Sequence, residues 1–403
     1  MNREVIIVGG GASGMVAAIS AKRHGAKVTI IEKNQRLGKK ILATGNGRCN
    51  YTNMGMTKNC YNHPFFVLPV FEQFSLNDTI EFFKDLGIYP RVEKEGKAYP
   101  TSLQSKSIVD ALEREIHKLN IKVMKETSVL SINYTGTGYE LQLSNNHVLK
   151  ANKVVISTGG LALPKSGSSG DGYEFSLNFG HQLTDLFPAL VKLNLDCPYL
   201  KETDGVKIET TVSLYEKDKF VMKKLNDVLF TKYGVSGPTI LDLSRKANEL
   251  LSKGRDVYIS VNLVPDLEEK ELEERFVRLK DMTVDEALLG LIHQKLITPV
   301  LREANLTGDV KLKDLDRKGL EALFNKLYDY RFKVLSSKDF DEAQVTAGGI
   351  NIKDVDKITL ESQLMPGLYF TGEVLDIDGI CGGYNLQWAW SSGYVAGMHA
   401  SND

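Results

Sequence analysis

The chain is poor in several features that would settle its class at once. Its 403 residues hold four cysteines, Cys49, Cys60, Cys197 and Cys381, and no two of them form a CxxC pair. This spacing argues against a zinc site and a vicinal redox dithiol, and it fits a reducing cytoplasm. No apolar run approaches the roughly 18 to 20 residues needed to cross a bilayer, so no membrane association is expected. The formal net charge of −1 gives no electrostatic case for binding nucleic acid. No Ser/His/Asp arrangement, metal cluster or carboxylate pair stands out as an independent catalytic device, and no metal is expected. The first apolar strand begins almost at Met1 and leaves no room for a signal peptide, so a cytoplasmic location is expected.

What is present is concentrated near the start. Val5-Ile6-Ile7-Val8 leads into Gly9-Gly10-Gly11-Ala12-Ser13-Gly14, a small-residue helix through Ala17, Ala18 and Ala21, and Val28-Thr29-Ile30-Ile31-Glu32. This is a strand, a glycine turn, a helix and a second strand ending in a carboxylate. Gly9 permits the tight turn, Gly11 leaves no Cβ where a pyrophosphate approaches the backbone, and Gly14 allows close packing of helix on sheet. The helix start, with Ala12 and Ser13, offers free N–H groups and a partial positive charge to phosphates. Glu32 is placed to accept from the ribose hydroxyls. The unit as a whole specifies an adenine dinucleotide, either NAD or FAD.

The following stretch contains Lys33, Arg36 and Lys40, then Thr44-Gly45-Asn46-Gly47-Arg48-Cys49-Asn50. So many glycines and short polar residues cannot build a core, and an extended loop laid along a ligand is expected. The cations suit a diphosphate, and the glycines let the backbone pass close to a flat ring. Near the other end stand Gly372-Glu373-Val374-Leu375-Asp376 and Gly382-Gly383-Tyr384-Asn385. Together these words resemble the YhiN/BaiN-type flavoprotein family, which includes aminoacetone oxidase-like enzymes, and the resemblance covers essentially the whole chain. It implies FAD held non-covalently in an interrupted Rossmann-like domain of the two-dinucleotide-binding flavoprotein type. It also implies that Val129 neighbours the adenine, that Thr158-Gly159-Gly160 ends a second FAD-contacting strand, and that Val345 to Ile350 passes beside the flavin.

The remaining segments sort by pattern. Phe71, Phe74, Phe82, Phe83 and Leu86 recur at helical spacing and read as core. Val123 to Val129 is expected to be the next parallel strand, followed by a hairpin-like pair up to Leu149. Gly167-Ser168-Ser169-Gly170-Asp171-Gly172 has the wrong spacing for a second nucleotide motif, so any NAD(P)H has to visit the flavin directly as a transient electron donor. After Pro188, Val206, Ile208, Thr210, Val212 and Leu214 alternate as in a half-exposed antiparallel strand. Past Pro265 helices take over, with a capping box at Thr283-Val284-Asp285-Glu286 and Thr298-Pro299 read as an N-cap and first helical position. The expected architecture is α/β, with an FAD-binding domain at 1–187 and 343–403. An inserted antiparallel β-barrel-like domain is expected at 188–265 and 331–342, and a small helical subdomain at 266–330.

At least one of Glu373 and Asp376 is expected to bind the ribityl chain or order the diphosphate. Gly382 and Gly383 free the first N–H groups of the closing helix, whose dipole would favour negative charge at the flavin N1 and C2 carbonyl edge. Trp388 and Trp390 in its body read as packing residues. Asn50 and Tyr384 are the candidates for polar groups in the substrate pocket. The sequence thus points to an FAD-dependent oxidoreductase that moves a hydride between flavin and a small organic molecule. Two directions stay open: NAD(P)H-dependent reduction of an activated C=C bond, and amine oxidation with oxygen as acceptor. An RNA-modifying flavoprotein, or a binding or regulatory role for the flavin, is the alternative. Nothing in the sequence specifies an oligomeric state.

Overall fold

Val5 to Val8 is apolar without alternation because both faces of its strand are covered, as in a buried parallel sheet. In the computed structural model, which describes residues 3–402, this strand (Glu4–Val8) is the centre of five. Lys27–Ile31 and Lys122–Met124 extend the sheet on one side, and Lys153–Ile156 and Leu368–Phe370 on the other, all parallel. Ile6 and Ile7 are at most 1% exposed, and burial of each such side chain contributes about 1.5–3 kcal/mol. Because the strands are parallel, their carboxyl ends share one edge, where such sheets bind ligands.

The opening helix (Ala12–Arg23) and the closing helix (Tyr384–Ser401) lie against one another. Small residues allow this approach. A Cβ on Gly393 would lie 2.3 Å from Ser13 O, and one on Gly397 2.3 Å from Ala17 O. The aromatic residues Phe71, Phe74, Phe82 and Phe83 are buried with the closing helix, where Trp390 meets Phe83 edge-on at 5.1 Å. Trp388 and Trp390 are core, and their indole N–H groups donate to Gly372 O and Tyr51 O.

The strand expected over Val123 to Val129 is shorter than its apolar pattern suggests. The parallel strand stops at Met124, and Val129 begins a separate antiparallel meander of Val129–Tyr134, Tyr139–Leu143 and Val148–Ala151. The break falls at Glu126, whose φ of 52° is left-handed and cannot continue a ladder. The turn is fixed by Glu126 N donating to Asn34 O and Thr127 N to Glu32 O.

The chain divides into two units, one of Met1–Phe187 with Gln344–Asp403 and one of Pro188–Ala343. The second contains a closed six-stranded barrel, in the order Leu193–Asp196, Gly234–Ser236, Lys219–Thr231, Lys207–Glu216, Val257–Val261 and Tyr330–Ser337. Thr210, Val212 and Leu214 face its interior, and the residues between them are half-buried. The Leu229 to Pro238 stretch closes one barrel strand and opens the next. It supplies a short barrel strand before the helix Pro238–Ser252.

Four helices fill most of the stretch before the last barrel strand: Glu269–Arg278, Val284–Leu288, Gln294–Glu303 and Arg317–Tyr328. Thr283 and Glu286 form the expected capping box. Thr298-Pro299 does not start a helix. Pro299 is inside Gln294–Glu303, which is capped instead by His293 Nδ1 accepting from Lys295 N. The buried face Leu296, Ile297, Val300 and Leu301 spans the proline, and its packing outweighs the roughly 3 kcal/mol that an interior proline costs. Among the described residues no helix is long and apolar enough to cross a membrane.

Candidate functional site

The site is assembled at the carboxyl edge of the parallel sheet from loops of the first unit. Gly9 takes φ 101°, and a Cβ there would lie 2.6 Å from Ser157 O. One on Gly14 would lie 1.9 Å from Gly9 O, so the helix start is packed directly on the turn. A Cβ on Gly11 would meet nothing within 4 Å, leaving open space beside the helix N-terminus. That helix has no side-chain cap and no acidic residue in its first turn, so its N–H groups and positive dipole end are available to phosphate oxygens. Ser13 sits beside the last strand, where its Oγ is 2.7 Å from the Cβ position of Gly372.

Glu32 is buried at 7% exposure. Its Oε2 accepts from Gly10 N at 2.8 Å, and its Oε1 from Asn34 N at 2.7 Å and Asn34 Nδ2 at 2.6 Å. The carboxylate thus pins the glycine turn to the second strand. Three of its roughly four acceptor positions are used, leaving one for a ribose hydroxyl. The cations that follow diverge. Lys33 pairs with Asp171 at 2.7 Å, Arg36 is exposed, and Lys40 pairs with Glu373 at 2.6 Å.

Residues 44–50 fold into a tight knuckle. Gly45 and Asn46 both take left-handed angles, with φ of 56° and 54°. Arg48 lies 4.4 Å over the Tyr99 ring and pairs with Glu93 at 3.3 Å. Cys49 is fully buried. Desolvation pushes its thiol up to about 12, against the opposing hydrogen bond from Thr44, so it is not a nucleophile near neutral pH. Asn50 Oδ1 is buried without a protein partner. It would sit 2.9 Å from a Cβ on Gly383, which brings the knuckle against the start of the closing helix.

That start is built around glycine. Gly383 caps the helix at φ 100°, with no side-chain cap and no acid in the first turn. Gly382 O accepts from Asn53 Nδ2 at 2.9 Å. Asn385 folds back on its own loop, accepting from Gly379 N at 2.8 Å and donating to Gly379 O at 2.9 Å. Tyr384 is buried, and its carbonyl accepts from Tyr61 OH at 2.9 Å.

The two acids separate in role. Glu373 accepts from Thr346 N at 2.8 Å and pairs with Lys40, whereas Asp376 turns to Asn62 at 3.1 Å and His63 at 3.3 Å. Thr158, Gly159 and Gly160 follow the neighbouring strand Lys153–Ile156, and a Cβ on Gly160 would lie 2.5 Å from Thr346 Oγ1 and 2.9 Å from Tyr173 OH. The Tyr173 hydroxyl is buried without a partner. Burial, then the Glu373 and Asp376 carboxylates, raise its phenol well above the ordinary range.

The loop 9–14, Glu32, Lys40, the knuckle, 158–160, Glu373 and the 382–385 turn all belong to this one set of loops. Val129 begins its strand just after the turn in which Glu126 N donates to Asn34 O and Thr127 N to Glu32 O. Tyr173, Thr346 and His63 are the residues that motif reading missed. Thr346 at least lies in the glycine-flanked word Val345 to Ile350, whereas nothing in the sequence around Tyr173 or His63 marks them. An FAD fits what is present. Two helix starts without side-chain caps would leave N–H groups for its phosphate and ring oxygens, Gly11 leaves space, and the orphaned Asn50 Oδ1, Tyr173 OH and Thr371 Oγ1 each lack a bond whose absence costs about 1–3 kcal/mol. Among the described residues no three His, Cys, Asp or Glu side chains gather as metal ligands would, and none of the four cysteines forms a disulfide.

Residues 3–399 match the family described as HI0933-like protein Rossmann domain. The chain is 36% identical over 409 residues to the 3-dehydro-bile acid delta(4,6)-reductase of Clostridium scindens, covering 100% of this chain and 99% of that protein. It is 32% identical over 398 residues to the ribosomal RNA dihydrouridine synthase of Escherichia coli, covering 97% and 96%. Among solved structures, 3-ketosteroid delta1-dehydrogenase from Sterolibacterium denitrificans shares the fold, with a TM-score of 0.53 at 14% identity and 99% of each chain covered. This chain belongs to the HI0933-like Rossmann family, the YhiN/BaiN-type flavoproteins, and is an FAD-dependent oxidoreductase.

Proposed function

We propose that the chain reduces a carbon–carbon double bond conjugated to a carbonyl in a small organic molecule, with a nicotinamide as electron source. The observation that carries this reading is the full-length likeness, at 36% identity, to a protein named as a delta(4,6)-reductase. Bound FAD would supply the two-electron chemistry, accepting a hydride from one molecule and passing it to another. The protein's own share is positioning and charge. The uncapped starts of the opening and closing helices hold the diphosphate and favour negative charge at the flavin edge. The knuckle 44–50 and Gly383 hold the ring, and Lys40 with Glu373 fixes the loop between them. Amine oxidation, the other direction the sequence left open, has less support, because both relatives carry names that describe saturation of a ring double bond.

A second reading takes a uracil ring of ribosomal RNA as substrate, following the name of the relative at 32% identity. Its double bond is also conjugated to a carbonyl, so the flavin chemistry is unchanged. The net charge of −1 favours the small molecule. The test is anaerobic mixing of the yellow protein with NADH or NADPH, then with a steroid 4,6-dien-3-one. Bleaching by a nicotinamide and recolouring by the dienone are expected. Absence of bleaching by either nicotinamide sinks that electron source. Recolouring by uridine-containing RNA alone favours the second reading.

A further inference from the structure

We infer that His63, oriented by Asp376, is the proton donor that completes the reduction, an inference that rests on the reading under Proposed function. Hydride addition to a conjugated alkene delivers two electrons and one hydrogen, so a proton is still needed at the neighbouring carbon. Two buried groups near the site hold their protons too tightly to give it readily. Cys49 is buried with its thiol pushed up to about 12, and the buried Tyr173 phenol is raised further.

His63 lies on a segment fastened to the loop that joins Glu373 to the closing helix. Ile380 N donates to Cys60 O at 3.0 Å, and Tyr61 bridges Gly379 and donates to Tyr384 O. Asn62 exchanges backbone and side-chain bonds with Asp378 at 3.0 Å, and its amide donates to Asp376 Oδ1 at 3.1 Å. This fastening sets His63 Nε2 at 3.3 Å from Asp376 Oδ2. Asp376 is 12% exposed at its side chain and His63 37%, so the carboxylate is shielded while the ring keeps an open side.

A second histidine in the chain supplies the contrast. His293 also stands at a helix N-cap and uses Nδ1 to accept from Lys295 N. His63 stands at the N-cap of Pro64–Gln73 and makes no such bond. Its ring turns to the carboxylate instead, leaving Nδ1 for another partner. A carboxylate that holds one ring nitrogen fixes the ring and compensates the charge it carries when protonated.

In the step assigned to it, hydride adds to the β-carbon of the enone and the π pair moves to the carbonyl oxygen as an enolate. The proton on His63 Nδ1 then passes to the α-carbon, the C=O re-forms, and solvent returns a proton to the ring. The two electrons come from the reduced flavin, refilled by a nicotinamide.

The test uses FAD-loaded wild type, His63→Asn and His63→Gln, each reduced with dithionite and mixed anaerobically with a steroid 4,6-dien-3-one. FAD content and rate of reduction by nicotinamide are expected to match wild type in both variants. Reoxidation by the dienone is expected to slow by about 10²- to 10⁴-fold, with imidazole in the buffer restoring part of the rate. In deuterated solvent the wild type should place deuterium on one face of the α-carbon, and the variants should lose that selectivity. Wild-type reoxidation rate and selectivity in both variants overturn the role of His63 and leave the proposed reaction standing. Failure of the wild type to be reoxidised by the dienone overturns the proposed reaction, and this inference with it.

Discussion

At the scale of single residues, side chains in this protein are fixed by what they lack as much as by what they touch. His181 is 2% exposed, bonds Ser362 Oγ through Nε2 at 2.9 Å, and packs edge-on against Phe370 at 4.8 Å. Its Nδ1 has no protein partner. Burial disfavours the imidazolium and lowers its pKa from about 6.5, against a smaller opposing pull from Asp354. In the range between the unfolded and folded values the unfolded chain binds more protons than the native one, so stability rises with pH there. The contribution of His181 is therefore complete above about pH 6.5 and is lost as pH falls through the folded value. Urea denaturation at pH 7 and pH 5 is expected to show a smaller drop in stability for His181→Gln than for wild type. Equal drops refute this assignment. The sequence offered no route to this residue, because a histidine's burial depends on partners almost 200 positions away.

At the scale of elements, the seam between the opening and closing helices is the most exacting contact. Gly397 in a helix interior costs about 1 kcal/mol relative to alanine, and it is tolerated because a Cβ would lie 2.3 Å from Ala17 O. Gly397→Val is expected to force the helices apart and to destabilise the protein by about 1–3 kcal/mol or more, with loss of bound FAD, read by thermal denaturation and visible absorbance. A variant with the wild-type melting temperature and flavin content contradicts the seam. Elements with strong local signals were legible. The glycine turn, the alternation at Thr210 to Leu214 and the capping box at Thr283 each carry their own cause within a few residues. Val129 and Pro299 were misread because the deciding facts are tertiary: a left-handed Glu126 tied to Asn34, and an apolar face that continues across a proline. The pairing of Asp376 with His63 was illegible for the same reason, as two short segments 313 positions apart have no shared pattern.

At the scale of the whole molecule, the site depends on the two ends of the chain meeting. Lys40 pairs with Glu373, Trp390 donates to Tyr51 O at 2.8 Å, and Gln387 bonds both Thr52 and Thr79. The loop that carries Asn50 therefore gains part of its contacts only when the closing helix docks, beside those that Arg48 makes with Glu93 and Tyr99. Such distant pairings close long loops at an entropic cost, and a ligand that bridges them stabilises the folded state alone. Each tenfold rise in FAD above its dissociation constant should add about 1.4 kcal/mol to stability, seen as a melting temperature that climbs with the logarithm of FAD concentration. A chain ending before Tyr384 is expected to bind no FAD and to lose hydrogen-exchange protection through residues 41–53, while the strand Glu4–Val8, paired on both sides by other segments, keeps more of its own. A truncated chain that still turns yellow with FAD would falsify the dependence of the cofactor site on the closing helix. It would leave the opening glycine turn, with Gly11 and Glu32, as sufficient by itself.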